Sequence, residues 1–96
     1  MKYQVLINPS KPYYMAPVEE NIFFDYYKDV TPFIESCYDG AVRTVQSAFP
    51  DMPIPTKEQY AGWCDVYQMR TYDNDTLQAK YTVTVKDGKF KLAKVK

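Results

Sequence analysis

The chain of 96 residues balances twelve Lys and Arg against twelve Asp and Glu, and it contains no histidine. It therefore lacks the commonest general base, the usual Ser-His and Cys-His nucleophile pairs and the commonest metal ligand. Its two cysteines form no CxxC pair, and its three glycines stand far apart and form no phosphate-binding loop. We expect a protein that is not an enzyme and that holds neither a metal ion nor a cofactor.

Length and composition indicate one globular domain covering residues 1–96. Hydrophobic residues make up 46% and charged residues 25%, which are ordinary values for a globular protein. The first nine residues contain three consecutive aliphatic side chains, fewer than a signal peptide or a membrane span requires. Together with the low cysteine content, this predicts a cytoplasmic protein with reduced thiols and no membrane association.

The charges are divided unevenly along the chain. Residues 1–79 hold six basic against eleven acidic residues, a net charge of −5. Residues 80–96 hold six lysines against Asp87 alone, a net charge of +5. The sequence therefore predicts a polarised molecule, and such a charge distribution can steer a partner even when the total charge is zero.

The first predicted elements are a strand and a helix. Alternating apolar side chains predict a short N-terminal strand over residues 3–7. Apolar residues spaced by three and four over residues 18–30 predict a first helix. Thr31 is a good N-cap and Pro32 suits a first helical position, so this pair predicts the start of a second helix.

The second helix has the strongest periodic signal in the chain. Apolar residues follow the i, i+3, i+4, i+7 pattern over residues 34–49, and Pro50 ends the pattern. After two further prolines, Thr56 and Gln59 match a capping box. They predict a short third helix around residues 60–63.

The remainder of the chain predicts a β-sheet. Residues 66–72 are either a strand or a continuation of the third helix. The run Asp73-Asn74-Asp75 predicts a turn that lacks the glycine and distal glutamate of an EF-hand loop, and residues 77–85 alternate as a strand does.

Asp87-Gly88 predicts a two-residue hairpin turn, because both residues tolerate a positive φ. In this register Val85 is paired with Phe90. This pair and the next apolar pair along the two strands lie on the same side of the hairpin. The fold class predicted is α+β: a short N-terminal strand, two to three helices and a C-terminal antiparallel β-meander packed on the helices.

Tyrosines provide the leading functional hypothesis. Tyrosine combines a large contact area with a polar tip and little rotamer entropy, and it is enriched at the centres of protein interfaces. The candidate partner-binding residues are Tyr13, Tyr14, Tyr26, Tyr27, Asp25 and Asp29. They predict a small protein-binding module of the inhibitor or adaptor type, whose acidic helical surface suits a basic protein partner. The alternative is that these tyrosines only cover a small core.

A second hypothesis places nucleic acid on the C-terminal hairpin. The candidate contacts share one strand face with two threonines, and they are Lys80, Lys86, Lys89 and Lys91. The aromatic residues of the hairpin, Tyr81 and Phe90, point to the other side, so this segment provides no stacking platform for bases. The alternative is an ordinary solvated sheet face.

A third hypothesis is an enzyme that relies on carboxylates. Cys37 and Cys64 each have carboxylates close in sequence, which raise a thiol pKa, so they are predicted to be buried core cysteines rather than nucleophiles. The sequence encodes neither the partner's identity nor the oligomeric state.

Overall fold

A computed structural model describes residues 2–7, 20–70 and 77–95, with the backbone alone for Glu20 and Asn21. The strands are β1 (Lys2–Ile7), β2 (Glu20–Phe24), β3 (Cys64–Met69), β4 (Leu77–Lys86) and β5 (Lys89–Lys94). The helices are α1 (Val30–Ala48) and α2 (Lys57–Ala61), and a 3₁₀ turn (Tyr27–Asp29) precedes α1. Tyr13, Tyr14 and the predicted turn at 73–75 lie outside the described residues.

The five strands form one antiparallel sheet in the order β2-β1-β3-β4-β5. Val5 of β1 and Val66 of β3 are paired at its centre, and both are fully buried. The predicted N-terminal strand is therefore a central strand of the sheet. Residues 64–69 are strand rather than a continuation of α2, which decides for residues 66–69 the alternative that the sequence left open, while residues 71 and 72 lie outside the described part of the chain.

The predicted first helix over residues 18–30 is wrong for residues 20–24, and among its described residues only the 3₁₀ turn at 27–29 and the first residue of α1 are helical. Residues 20–24 form strand β2, in which Ile22 pairs with Val5 and Phe24 pairs with Tyr3. Bulky β-branched and aromatic residues suit a strand when a neighbouring strand is present to pair with them. The helical spacing arose because the apolar residues of β2 and those of the following 3₁₀ turn are by coincidence three and four positions apart.

The predicted second helix is confirmed as α1, but its N-cap is not Thr31. The helix begins at Val30, two residues before Pro32, and the side chain of its N-cap residue, Asp29, makes no capping hydrogen bond. Thr31 and Pro32 both lie in the first turn. Proline is tolerated there because the first backbone N–H groups of a helix have no intrahelical acceptor.

One face of the sheet packs against both helices, and we call it the helix face. Its buried side chains, together with those of α1 and α2, are Val5, Ile7, Val30, Ile34, Tyr60, Ala61, Cys64, Val66, Val83 and Phe90. The predicted packing of the C-terminal meander on the helices is visible in this cluster, since Val83 and Phe90 come from β4 and β5. The other face of the β4-β5 hairpin carries lysines and threonines.

Helix α2 agrees with the sequence prediction, and the predicted burial of the two cysteines holds for Cys64. The Thr56 hydroxyl accepts a hydrogen bond from the Gln59 backbone N–H at 3.1 Å, and the Gln59 side chain accepts one from the Thr56 N–H at 2.9 Å. This reciprocal pair confirms the capping box. Neither cysteine forms a disulfide bond; Cys64 is buried, whereas Cys37 is only half-buried. Burial raises the pKa of the Cys64 thiol to about 12, so this thiol is a weak nucleophile.

The β4-β5 hairpin is confirmed in turn and register. Asp87 and Gly88 both have positive φ, 55° and 74°, as a type I′ turn requires. Val85 pairs with Phe90 and Val83 pairs with Leu92, so the apolar residues of both strands lie on the helix face.

We expect Gly88→Val to destabilise the protein by about 1 to 2 kcal/mol, because a β-branched residue is strained at this positive φ. A Cβ atom at this position would meet nothing within 4 Å, so the loss would come from the backbone alone. Thermal denaturation measures it as a decrease of roughly 4 to 16 °C in Tm. A Gly88→Asn variant is the control, since asparagine tolerates positive φ, and equal losses in both variants would contradict the explanation.

Candidate interaction surfaces

Two exposed tyrosines lie where β2 connects to α1. Tyr26 is 63% exposed and Tyr27 is 45% exposed. The backbone is extended at Tyr26 and then enters the 3₁₀ turn, which the Asp29 N–H closes by donating to the Tyr26 carbonyl at 3.1 Å. We call residues 25–29 with Tyr3 and Tyr81 the tyrosine surface.

The ring of Tyr27 is held from two sides by other tyrosines. Its centroid lies 5.7 Å from that of Tyr3 and 5.7 Å from that of Tyr81, both in edge-to-face geometry. Gln68 Nε2 donates a hydrogen bond of 3.2 Å to the Tyr3 hydroxyl, which fixes the far side of the cluster. Burial, with the neighbouring Tyr81 and Tyr3, raises the pKa of Tyr27. Its hydroxyl therefore remains protonated at neutral pH and can donate a hydrogen bond.

The charges around these rings are mixed. Asp25 accepts a hydrogen bond from the Lys2 ammonium, and the Lys28 ammonium lies 5.6 Å from the centroid of the Tyr26 ring. Asp29 is exposed at the end of the 3₁₀ turn. The predicted surface is therefore neither helical nor purely acidic. Asp25, Tyr26 and Tyr27 precede α1, and two lysines lie among the carboxylates.

The lysines of the hairpin share the face opposite the helices, as predicted. Lys86 pairs with Lys89, and Thr84 pairs with Lys91, so these side chains project to one side. Lys80 lies on the same face farther along β4, and all four lysines are exposed. We call Lys80, Lys86, Lys89 and Lys91, with Thr82 and Thr84, the lysine face.

The two threonines of the lysine face bond weakly within the sheet. Thr82 Oγ1 donates to the Ala93 carbonyl at 3.3 Å, and Thr84 Oγ1 donates to the Lys91 carbonyl at 3.4 Å. Both distances exceed the usual value of about 2.7 to 2.8 Å for hydroxyl donors. Each hydroxyl can therefore rotate toward an anionic acceptor at little cost.

Tyr67 of β3 lies beside the lysine face, a position that the sequence did not reveal. It pairs with Lys80 across the β3-β4 ladder, and the Lys80 ammonium lies 5.6 Å from its ring centroid. Asp65 also faces this position, with an oxygen 3.6 Å from Lys80 Nζ. The sequence could not place Tyr67 beside Lys80, because the residues that connect β3 to β4 do not specify the register of these two strands. The Asp87-Gly88 turn, in contrast, does specify the register of β4 and β5.

A third cluster joins the hairpin to both helices. Lys57 Nζ donates to Glu35 Oε2 at 2.8 Å and to the Gly88 carbonyl at 2.7 Å. Glu35 Oε1 accepts the Phe90 backbone N–H at 3.0 Å. Partial burial alone would raise the pKa of Glu35, but the hydrogen bonds from Lys57 and Phe90 and the charges of Lys57 and Lys89 hold it below its usual value. These contacts give Glu35 a structural role, because both its oxygens are engaged.

Within the described ranges, no three His, Cys, Asp or Glu side chains lie close enough to hold a metal ion. Over the same residues, neither helix has the length and hydropathy needed to cross a bilayer. Comparison of the chain with protein-family models, curated protein sequences and solved structures gave no significant match.

Proposed function

We propose that this chain is a protein-binding module of the inhibitor or adaptor type, which contacts its partner through the tyrosine surface. The observation that supports this proposal is the exposure of Tyr26 and Tyr27 on neighbouring positions beside Asp25 and Asp29. Interface centres are enriched in tyrosine, and a polar rim surrounds them. We include Tyr13 and Tyr14 among the proposed partner-binding residues on the basis of the sequence, since both lie outside the described residues.

The support of Tyr27 by its neighbours favours this surface energetically. Immobilising a flexible side chain on binding costs about 0.5 to 1.5 kcal/mol. The ring of Tyr27 is already positioned by Tyr3 and Tyr81 in the free protein, so binding requires less additional loss of side-chain entropy. A ring that is both exposed and fixed is suited to act as an anchor residue.

The chemistry of the surface favours a partner that presents arginine or lysine. The Asp29 carboxylate can accept a charge-assisted hydrogen bond, as that of Asp25 does from Lys2, and tyrosine ring faces attract cations. The chain itself places the Lys28 ammonium over the Tyr26 ring, which indicates that a cation is accommodated there. A partner guanidinium would displace Lys28 from this position. We place the interaction in the cytoplasm, where the thiols of Cys37 and Cys64, which form no disulfide bond, would remain reduced.

We expect Tyr26→Ala and Tyr27→Ala each to weaken partner binding by about 1 to 2 kcal/mol, a loss of roughly 5- to 30-fold in affinity. The partner would be isolated with the wild-type chain from the source cells, and each variant would then be titrated against it by calorimetry. Ile54→Ala is the matched control, since Ile54 is 45% exposed and lies outside the tyrosine surface. Unchanged affinity in both tyrosine variants would contradict the proposal.

The second candidate function is nucleic-acid binding by the lysine face. The observation that favours it is that four exposed lysines project from one face of two paired strands. Neutralising phosphates releases counterions, and this provides most of the sequence-independent affinity for nucleic acid.

A further inference from the structure

We propose that the lysine face binds single-stranded rather than duplex nucleic acid, with one base stacked on Tyr67 and the following phosphates held by the lysines. The inference rests on the second candidate function and adds to it the class of nucleic acid and the stacking residue. It depends on Tyr67 lying on the same sheet face as the four lysines, beside Lys80.

The lysines form a strip of suitable length. Side chains on one strand face repeat about every 6.8 Å, so Lys89 and Lys91 are separated by about that distance. Lys80 and Lys86 lie six residues apart on β4, which corresponds to about 20 Å. Lys89 is paired with Lys86 at the far end of the strip. An extended strand of a few nucleotides can therefore follow the hairpin from Tyr67 to the turn.

Tyr67 provides an aromatic ring on which a base can stack, a contact that the lysines do not provide. Bases stack on aromatic side chains irrespective of sequence, because every base has a π-face. The Lys80 ammonium now occupies a position over the Tyr67 ring, and this exposed lysine can move from the ring to a phosphate. Thr82 and Thr84, whose hydrogen bonds are long, can turn their hydroxyls toward the same backbone.

The same geometry disfavours a duplex. In double-stranded nucleic acid the base faces are covered by their neighbours, so Tyr67 would have none to stack on. The helices, which enter the major groove in many duplex-binding proteins, lie on the opposite face of this sheet.

Fluorescence anisotropy with a labelled single strand of about 12 nucleotides, and with the same strand annealed to its complement, tests the proposal. We expect the single strand to bind more tightly at low salt. Tyr67→Ala should weaken that binding by about 5- to 150-fold, and Tyr67→Phe should retain it. Tyr67→Leu keeps the bulk of the half-buried side chain and should lose affinity as the alanine variant does, which separates stacking from folding.

Lysine variants complete the test. Lys89→Ala and Lys91→Ala should each weaken binding and reduce the slope of log affinity against log salt by about 0.7. Lys94→Ala is the matched control, because Lys94 pairs with Tyr81 and therefore projects to the helix face of the same strand. If the duplex binds as tightly, or if Tyr67→Ala and Tyr67→Leu bind as the wild type does, this inference is wrong and the second candidate function stands. If neither nucleic acid binds at low salt, both are wrong.

Discussion

Phe90→Ala is expected to destabilise the protein by about 3 to 5 kcal/mol, the largest loss among the variants considered. Phe90 is 2% exposed and joins β5 to both helices. Its ring contacts those of Tyr38 and Tyr60, at centroid distances of 5.7 and 6.2 Å, and the Lys57 ammonium lies 5.1 Å from its centroid. Removing the ring leaves a cavity that none of these neighbours can fill without moving.

Urea denaturation followed by fluorescence of Trp63 measures this loss. A 96-residue domain has a free energy of unfolding of about 5 to 14 kcal/mol, so the variant should unfold at a much lower denaturant concentration. Phe49→Ala is the matched control, since Phe49 is exposed at the end of α1 and the same atoms are removed. Similar losses in the two variants would contradict the position assigned to Phe90.

Glu35→Ala is expected to destabilise the protein by about 2 to 3 kcal/mol. The substitution removes two charge-assisted hydrogen bonds, leaves the Phe90 N–H without its acceptor and leaves the Lys57 ammonium with the Gly88 carbonyl. This value is at the lower end of the free-energy loss expected for two charge-assisted hydrogen bonds. The side chains of Glu35 and Lys57 are 32% and 26% exposed, and solvent weakens their interaction. Glu35→Gln should lose about half as much, because glutamine can still accept the Phe90 N–H.

The contribution of Glu35 should depend on pH in a defined direction. Its pKa is lowered in the folded protein from an ordinary value of 4.5, so folding favours the ionised carboxylate. The stabilisation is therefore fully present above about pH 5 and is lost as the pH falls through the lowered folded value. The difference in unfolding free energy between wild type and Glu35→Gln should be constant from pH 7 to about 5 and should shrink below that. A difference that grows on acidification would contradict the assigned contacts.

The parts of the fold that the sequence predicted are those with local determinants. Asp87-Gly88 specified the hairpin turn because few residues adopt positive φ, and the turn then set the register of β4 and β5. Thr56 and Gln59 specified the start of α2 through contacts only three residues apart. The long periodic pattern of α1 likewise needed no distant partner to be recognised.

The parts that the sequence did not predict depend on distant pairing. Strand β2 forms because Ile22 and Phe24 pair with β1, and this contact overrides an accidental helical spacing. The sequence did not predict the candidate sites for the same reason. Tyr3 and Tyr81 reach Tyr27 only once the sheet is assembled, and Tyr67 reaches Lys80 only through the β3-β4 register.

Hydrogen-deuterium exchange of the chain with and without its protein partner tests the central claim most directly, because it reports the contact surface without any substitution. We predict that the partner slows exchange at the backbone amides of residues 25–30, which carry Tyr26 and Tyr27, and leaves the hairpin residues 84–91 unchanged. Slower exchange confined to the hairpin, with residues 25–30 unaffected, would contradict the account.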